Sequence, residues 1–546
     1  MTNRRRIKLI GVSVLALLVC AFWMTQSWTR NLASVNRHES LYLKNAPQKS
    51  AIPDRWWFFL EESRIDRKVY ELSLLHHPQT FAIVHATVFP MTGDRVLSDH
   101  TVIVEDGQII SVAPTKTAPI PRNAIRIDAS GQYLIPGLTD AHVHQAVSSS
   151  QHLLNLAAGI TTVRDMDGFP WTLAMRDRVR QGQLLAPNLY VAGTILNAQS
   201  MGWYARVVHT PEEGRLAVRE QKQAGYEFIK VHNILPVETY DAIADEAKKQ
   251  GLDLIGHVPQ GITVAHAIAS GQRTLEHFKG YILDATLTLS DEDYVSATRG
   301  ANVWNCPTFY NYRLQLRGDE ARAVLGGFEM RFVSPRDKRD WLALANQPAN
   351  PVQQRVLPLS MKVFRDLLPI KARFLAGTDS GGGRAFMVPG FSLLEELRLM
   401  QEAGLTPLQA LQSATVEPAK AMRKEKEFGT IEVGKRADLV LVSRDPRRSL
   451  DGFFQSIQAV SVRGVLLKRS DLDQMLQAVE DVYSHTWPGP DVAPSASDID
   501  EVIQTYRQLT KEGYVLRTHH LDEMSKLLRE AGKQELAEEI SRMAIR

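Results

Sequence analysis

Apolar and polar positions change their period several times along the chain. Twenty residues from Leu9 to Trp28 carry no charge, about the length that spans a hydrocarbon core. Arg4, Arg5, Arg6 and Lys8 precede them, which predicts that the N-terminal side stays in the cytoplasm. Residues 1–30 therefore read as a signal-anchor or transmembrane segment. A cleaved signal peptide competes, yet the run ends in bulky AFWMTQSW where a small-x-small cleavage site belongs. The rest of the chain is expected outside the cytoplasm, membrane-anchored or exported, and periplasmic in a Gram-negative cell. Residues 31–80 read as a helical linker, with a helix from Pro53 to Gln79. Trp56, Trp57, Phe58 and Phe59 at its start suit a membrane surface or packing on the following domain.

From Phe81 the pattern turns to short β runs, with Asp106-Gly107 between TVIVE and QIISV as a hairpin signal. Similar runs return as ADLVLVS from Ala437 and IQAVSVRGVLLK from Ile457. Residues 81–135 and 425–470 are read together as one small composite β-sandwich. Between them, apolar strands alternate with helical periods. They begin at Tyr133, Ile160, Asn188, Phe228, Asp253, Thr274, Asn302 and Phe374. Eight such strands over about 250 to 300 residues match a (β/α)8 TIM-like barrel, assigned to residues 136–424. An open doubly wound sheet is the rival, but no G-x-G-x-x-G turn follows a strand. The stretch from Tyr310 to Lys371 is too long for a plain connection and is expected to carry helices over the barrel mouth. Residues 471–546 form a helical extension. Beyond Pro494, Leu521, Met524, Leu527 and Leu528 fall at helix spacing and predict an amphipathic helix pair.

Composition narrows the function. A net charge of +3 over 546 residues offers no nucleic-acid surface. Cys20 and Cys306 are the only cysteines, too few for a disulfide framework or a thiolate zinc site. A metal would rely on imidazole, carboxylate or a less usual ligand. The expected partners are a small-molecule substrate and, through the N-terminal segment, a membrane; whether the chain is a homo-oligomer is left open.

Barrel active sites form where strands end. Strand one ends in His142-Val143-His144, whose period of two turns both imidazoles to one face. Lys230 lies in strand four, His257 and His277 close strands five and six, and Asp379 closes strand eight. Each has a bland alternative as a core or turn residue, but all six fall in order on one rim. Imidazole and carboxylate suit zinc and other first-row divalent ions. His232, two residues beyond Lys230, shares its inward face and either reaches substrate or orients Lys230. Arg164 either holds a substrate carboxylate or braces Asp165. Trp203 and Tyr204 stand in the loop after strand three as further substrate candidates.

PGLTDAHVH, GITTVRDMDG, IKVH, GHVP, TLEHF, AGTDS and FGTIEVGKRADLVLVSRDP resemble the amidohydrolase superfamily, in its imidazolonepropionase and metal-dependent dipeptidase branch, over Phe81 to Lys468. The resemblance implies two divalent ions, zinc first. His142, His144 and Asp379 would bind one and His257 and His277 the other, with a carboxylated Lys230 between them. It implies a hydrolase cleaving an amide C–N bond of a dipeptide or N-acyl amino acid, the ions activating the attacking water and Asp379 moving the proton. A cyclic-amide hydrolase or deaminase, or a metal-free scaffold relative, are the alternatives. The Gly-Gly-His-Gly motif of Xaa-Pro and Xaa-Arg dipeptidases is replaced here by ILNAQSMGWYARVVH.

Overall fold

Strand one of the barrel begins where the chain leaves another sheet. In the computed structural model, which describes residues 52–543 except 145–147, 202–204, 284–287, 291–292, 315–317, 349–350, 382–384 and 490–491, the run from Tyr133 to His144 is two strands rather than the single one expected. Tyr133–Pro136 pairs antiparallel with Leu439–Val442, whereas Leu138–His144 pairs parallel with Ile160–Asp165. The switch falls at Gly137, whose N–H bonds the Asp438 carbonyl at 2.8 Å. A Cβ there would collide with Thr161 Oγ1, so only glycine lets the two sheets approach this closely.

The barrel strands are Leu138–His144, Ile160–Asp165, Asn188–Val191, Phe228–Val231, Asp253–Gly256, Thr274–Glu276, Trp304–Cys306 and Arg373–Phe374. Strands one to three and four to eight form two parallel runs. Ala192 beside Phe228 joins three to four, and Ala141 N–H bonds the Ala376 carbonyl at 2.9 Å to join one to eight. The result is a TIM-barrel-like α/β fold. Strands two, three and four are buried at every position, as parallel strands covered on both faces must be. The predicted strand from Asn188 also divides, because Ile195–Asn197 turns to pair with Ala205–Val207.

The two flanking β segments are hydrogen-bonded in one eight-stranded sheet. Phe81, Ile83, Val102, Leu439 and Leu466 form part of its separate apolar cluster. Asp106 and Gly107 both have positive φ (47° and 77°), the backbone that a two-residue hairpin turn requires.

The linker helix spans Ile52–Leu75. Trp56, Trp57 and Phe59 are buried, and the Phe58 ring centroid is 5.0 Å from that of His520. These rings pack on the C-terminal extension rather than on a membrane surface; burying each is worth about 1.5–3 kcal/mol. Beyond Pro494 the described residues hold three helices, Ala496–Lys511, Thr518–Glu530 and Gln534–Met543, not the expected pair. Gly532, at φ +73°, ends the second and lets the third fold back. Asp66 and Arg517 both bond the Ser149 hydroxyl, at 2.5 and 2.7 Å, tying the Ile52–Leu75 helix and the C-terminal extension to the loop after strand one.

The Tyr310–Lys371 stretch carries helices, including Pro335–Ala345 and Pro351–Leu367. Trp341 lies 5.5 Å from Phe386, which brings this insertion to the strand-eight loop. Among the described residues no helix is long and apolar enough to cross a membrane; Leu9–Trp28 lies outside them.

Candidate active site

His142 and His144 alternate with outward Val143, so both imidazoles meet the segment that follows strand eight. Asp379 N–H bonds the His142 carbonyl at 2.7 Å. Asp379 Oδ1 then lies 3.4 Å from His142 Nε2 and 3.1 Å from His144 Nε2. Its Oδ2 is 4.0 Å from His277 Nε2. A line of rings continues the site: His142 to His277 at 4.6 Å, His277 to His257 at 4.8 Å and His257 to His232 at 4.1 Å. Lys230 is buried and pairs with Ile255 of strand five, within electrostatic reach of His142, His257, His277 and Asp379. The structure thus brings the six predicted residues, and His232, to one end of the barrel.

The backbone is strained where the side chains are presented. His277 and Asp379 have φ of 61° and 65°, a conformation that costs about 1–2 kcal/mol in a residue with a Cβ. Just beyond Asp379, Gly381 has φ +95°, and a Cβ there would collide with the His144 carbonyl. Gly381→Ala is expected to lower the melting temperature clearly more than Gly182→Ala. Gly182 has φ +71° with nothing within 4 Å, so the second variant isolates the conformational cost from the collision; equal shifts would show that no collision occurs.

Three imidazoles are held by the nitrogen that faces away from this cluster. His142 Nδ1 lies 2.8 Å from Glu276 Oε2, His257 Nδ1 2.6 Å from Asn233 Oδ1, and His277 Nδ1 2.6 Å from Thr308 Oγ1. An oxygen there accepts a hydrogen bond from Nδ1–H and leaves Nε2 as the lone-pair nitrogen. Burial first, and then the Lys230 charge, pushes His142 down to about 4. Burial likewise holds His257 and His277 well below the ordinary histidine value. These rings are neutral, the form that ligates a metal. Burial pushes Lys230 down to about 8.

Arg164 corrects the sequence reading, which paired it with Asp165 or with substrate. Its Nη2 donates to Glu276 Oε1 at 2.8 Å and its Nε to the Ala141 carbonyl at 2.6 Å. Burial alone would raise the Glu276 carboxyl, but Arg164 and then His142 hold it well below its ordinary value. Arg164, Glu276 and His142 therefore form a buried relay inside the barrel.

The donor set fits a divalent ion. One ligand atom each from His142, His144 and Asp379 lie within 4.8 Å of one another. His142 Nε2 and Lys230 Nζ are buried with no hydrogen-bond partner among the described residues. Nitrogen atoms left so are costly unless something else occupies them. A second trio, His142, Glu276 and Cys306, is equally close. There Glu276 is already taken by Arg164 and burial pushes the Cys306 thiol well up, so that trio supports the site rather than forming another.

The amidohydrolase family profile matches residues 133–468. The chain belongs to the amidohydrolase family. It is 38% identical to the imidazolonepropionase of Geobacillus sp. (strain WCH70) over 392 residues, 64% of this chain and 84% of that one. A 71-residue stretch is 39% identical to a 5-methylthioadenosine/S-adenosylhomocysteine deaminase of Symbiobacterium thermophilum; it spans 13% of this chain and only 16% of that protein. Among solved structures, the putative prolidase from Bifidobacterium longum superposes with a TM-score of 0.57 at 25% identity. That likeness covers 73% of this chain and 99% of that one.

In this amidohydrolase the six rim residues fall inside the matched stretch, while the Ile52–Leu75 helix and the C-terminal helices fall outside it. Trp203 and Tyr204 lie outside the described residues. Sequence reasoning missed Glu276, Asn233, Thr308 and Asn311. Only Glu276 left a signal, as an acid inside the apolar run TLEHF; the other three look like ordinary loop polar residues.

Proposed function

We propose that this amidohydrolase is a metal-dependent hydrolase of an amide or related C–N bond in a small molecule, a dipeptide or N-acyl amino acid first among them. The observation that carries the reading is the convergence of His142, His144 and Asp379, with His142 Nδ1 and Asp379 Oδ2 already tied. His142, His144 and Asp379 would hold one divalent ion and His257 and His277 a second, zinc in both, with Lys230 carboxylated between them. Such ions polarise a scissile carbonyl and lower the pKa of the attacking water. The Asp379 carboxylate would take the proton from that water and return it to the leaving nitrogen. His232, beside His257, would meet the substrate. Glu276 keeps His142 in one tautomer, and Arg164 keeps Glu276 charged.

Hydrolysis of a cyclic amide or deamination is the second reading, favoured by the imidazolonepropionase and deaminase likenesses. The extracytoplasmic location also belongs to this proposal and rests on the Arg4–Lys8 cluster ahead of uncharged Leu9–Trp28.

Metal analysis and a substrate panel test the proposal together. Purified protein should hold roughly two equivalents of zinc, the number that the ligand set would accommodate. It should hydrolyse some of a panel of dipeptides, N-acyl amino acids, lactams and aminopurines, lose activity to a chelator and regain it with Zn2+. Lys230→Ala should lower metal content, and short carboxylic acids should partly restore activity. Protein without metal would instead indicate the scaffold alternative.

A further inference from the structure

Asp379 is held from two sides. The backbone side is the N–H bond to the His142 carbonyl. The other side comes from the segment after strand seven, which the sequence reading treated as part of a cover. Asn311 Nδ2 donates to Asp379 Oδ2 at 2.8 Å. The same segment supplies Thr308 to His277 Nδ1 and the Tyr312 hydroxyl to the His277 carbonyl, the latter at 2.9 Å. Its helix, Phe309–Leu314, is itself anchored: the fully buried Glu396 accepts from the N–H groups of Phe309 and Tyr310 at 3.0 and 2.7 Å.

We propose that Asn311 is a positioning residue that fixes the orientation of the Asp379 carboxylate. The proposal rests on the metal-site reading above. A carboxylate torsion is broad and nearly two-fold, so the Asp379 backbone cannot by itself decide which oxygen faces the imidazoles. An amide can donate to a carboxylate only through its NH2 group. By occupying Oδ2 it leaves Oδ1 directed at His142 and His144. Asn311 is buried on a helix that Glu396 keeps in place, so the donor is preset before any metal or substrate arrives. Outer partners of this kind are typically worth 10- to 100-fold in metal affinity or turnover.

The test uses the full-length protein stripped of metal, with Zn2+ affinity read by competition with a chromophoric chelator. Asn311→Ala removes the donor; Asn311→Leu keeps the size but has no N–H to donate, and it carries the test if the Ala variant does not fold. Both should bind Zn2+ about 10- to 100-fold more weakly, with the melting temperature of the metal-free protein unchanged. In an Asp379→Ala background neither should weaken binding further. Two results overturn the proposal alone: variants within threefold of wild type, or the same loss in the Asp379→Ala background, which would mean that Asn311 acts elsewhere. Wild-type protein that binds no Zn2+ would overturn the metal-site reading and this inference with it.

Discussion

Asp379→Asn should keep most of the bound metal and lose turnover by roughly 10²–10⁴, the range for a missing general acid–base group. Asparagine keeps one oxygen, which meets His142 and His144 in place of Asp379 Oδ1 once the Asn311 donor at the Oδ2 position turns aside, but an amide cannot accept a proton. The substitution therefore separates holding the ion from moving the proton. Metal content by elemental analysis and kcat on an active member of the panel check it. Undiminished turnover would remove Asp379 from the proton path, whereas loss of both metal and turnover would make it a ligand alone.

Arg164→Ala should cost about 3–5 kcal/mol of stability, the usual penalty for leaving one partner of a buried pair uncompensated. Arg164 is 1% and Glu276 0% exposed, so the Glu276 carboxylate would be left without its counter-charge away from bulk solvent. Adding Glu276→Gln should recover part of the loss, because an amide carries no charge to strand yet still meets His142 Nδ1. Chemical denaturation of the single and double variants measures both effects. A single variant within 1 kcal/mol of wild type, far below that range, would mean that Glu276 has other support. A substrate carboxylate is not needed to explain Arg164.

Six of the site residues were legible because each lies in or at the end of an apolar run, and a parallel barrel strand leaves its C-terminal end as the place where side chains reach solvent. His142 and His144 needed only the period of two. The bracing role of Arg164 was legible but its partner was not: a charged residue inside a strand announces burial without naming what it meets. That partner, Glu276, is 112 residues away. Asn311, Thr308 and Asn233 were missed because each acts through a hydrogen bond to a residue distant in the chain, and nothing in a single sequence marks which polar side chain will make it.

Local pattern alone determined the alternation of strands and helices, the hairpin at Asp106-Gly107 and the rim of histidines, since these depend on period and turn chemistry within a few residues. Tertiary structure decided the rest. The break at Gly137 arises because two sheets compete for one apolar run, and only the closeness of Thr161 fixes where it divides. The ring cluster from Trp56 to Phe59 was indifferent between a membrane surface and a packed helix, since both bury aromatic area; the C-terminal helices supply the burial. The placement of Asp379 is likewise a tertiary fact, because the Asn311 donor and the histidines around its carboxylate are brought to it by the fold.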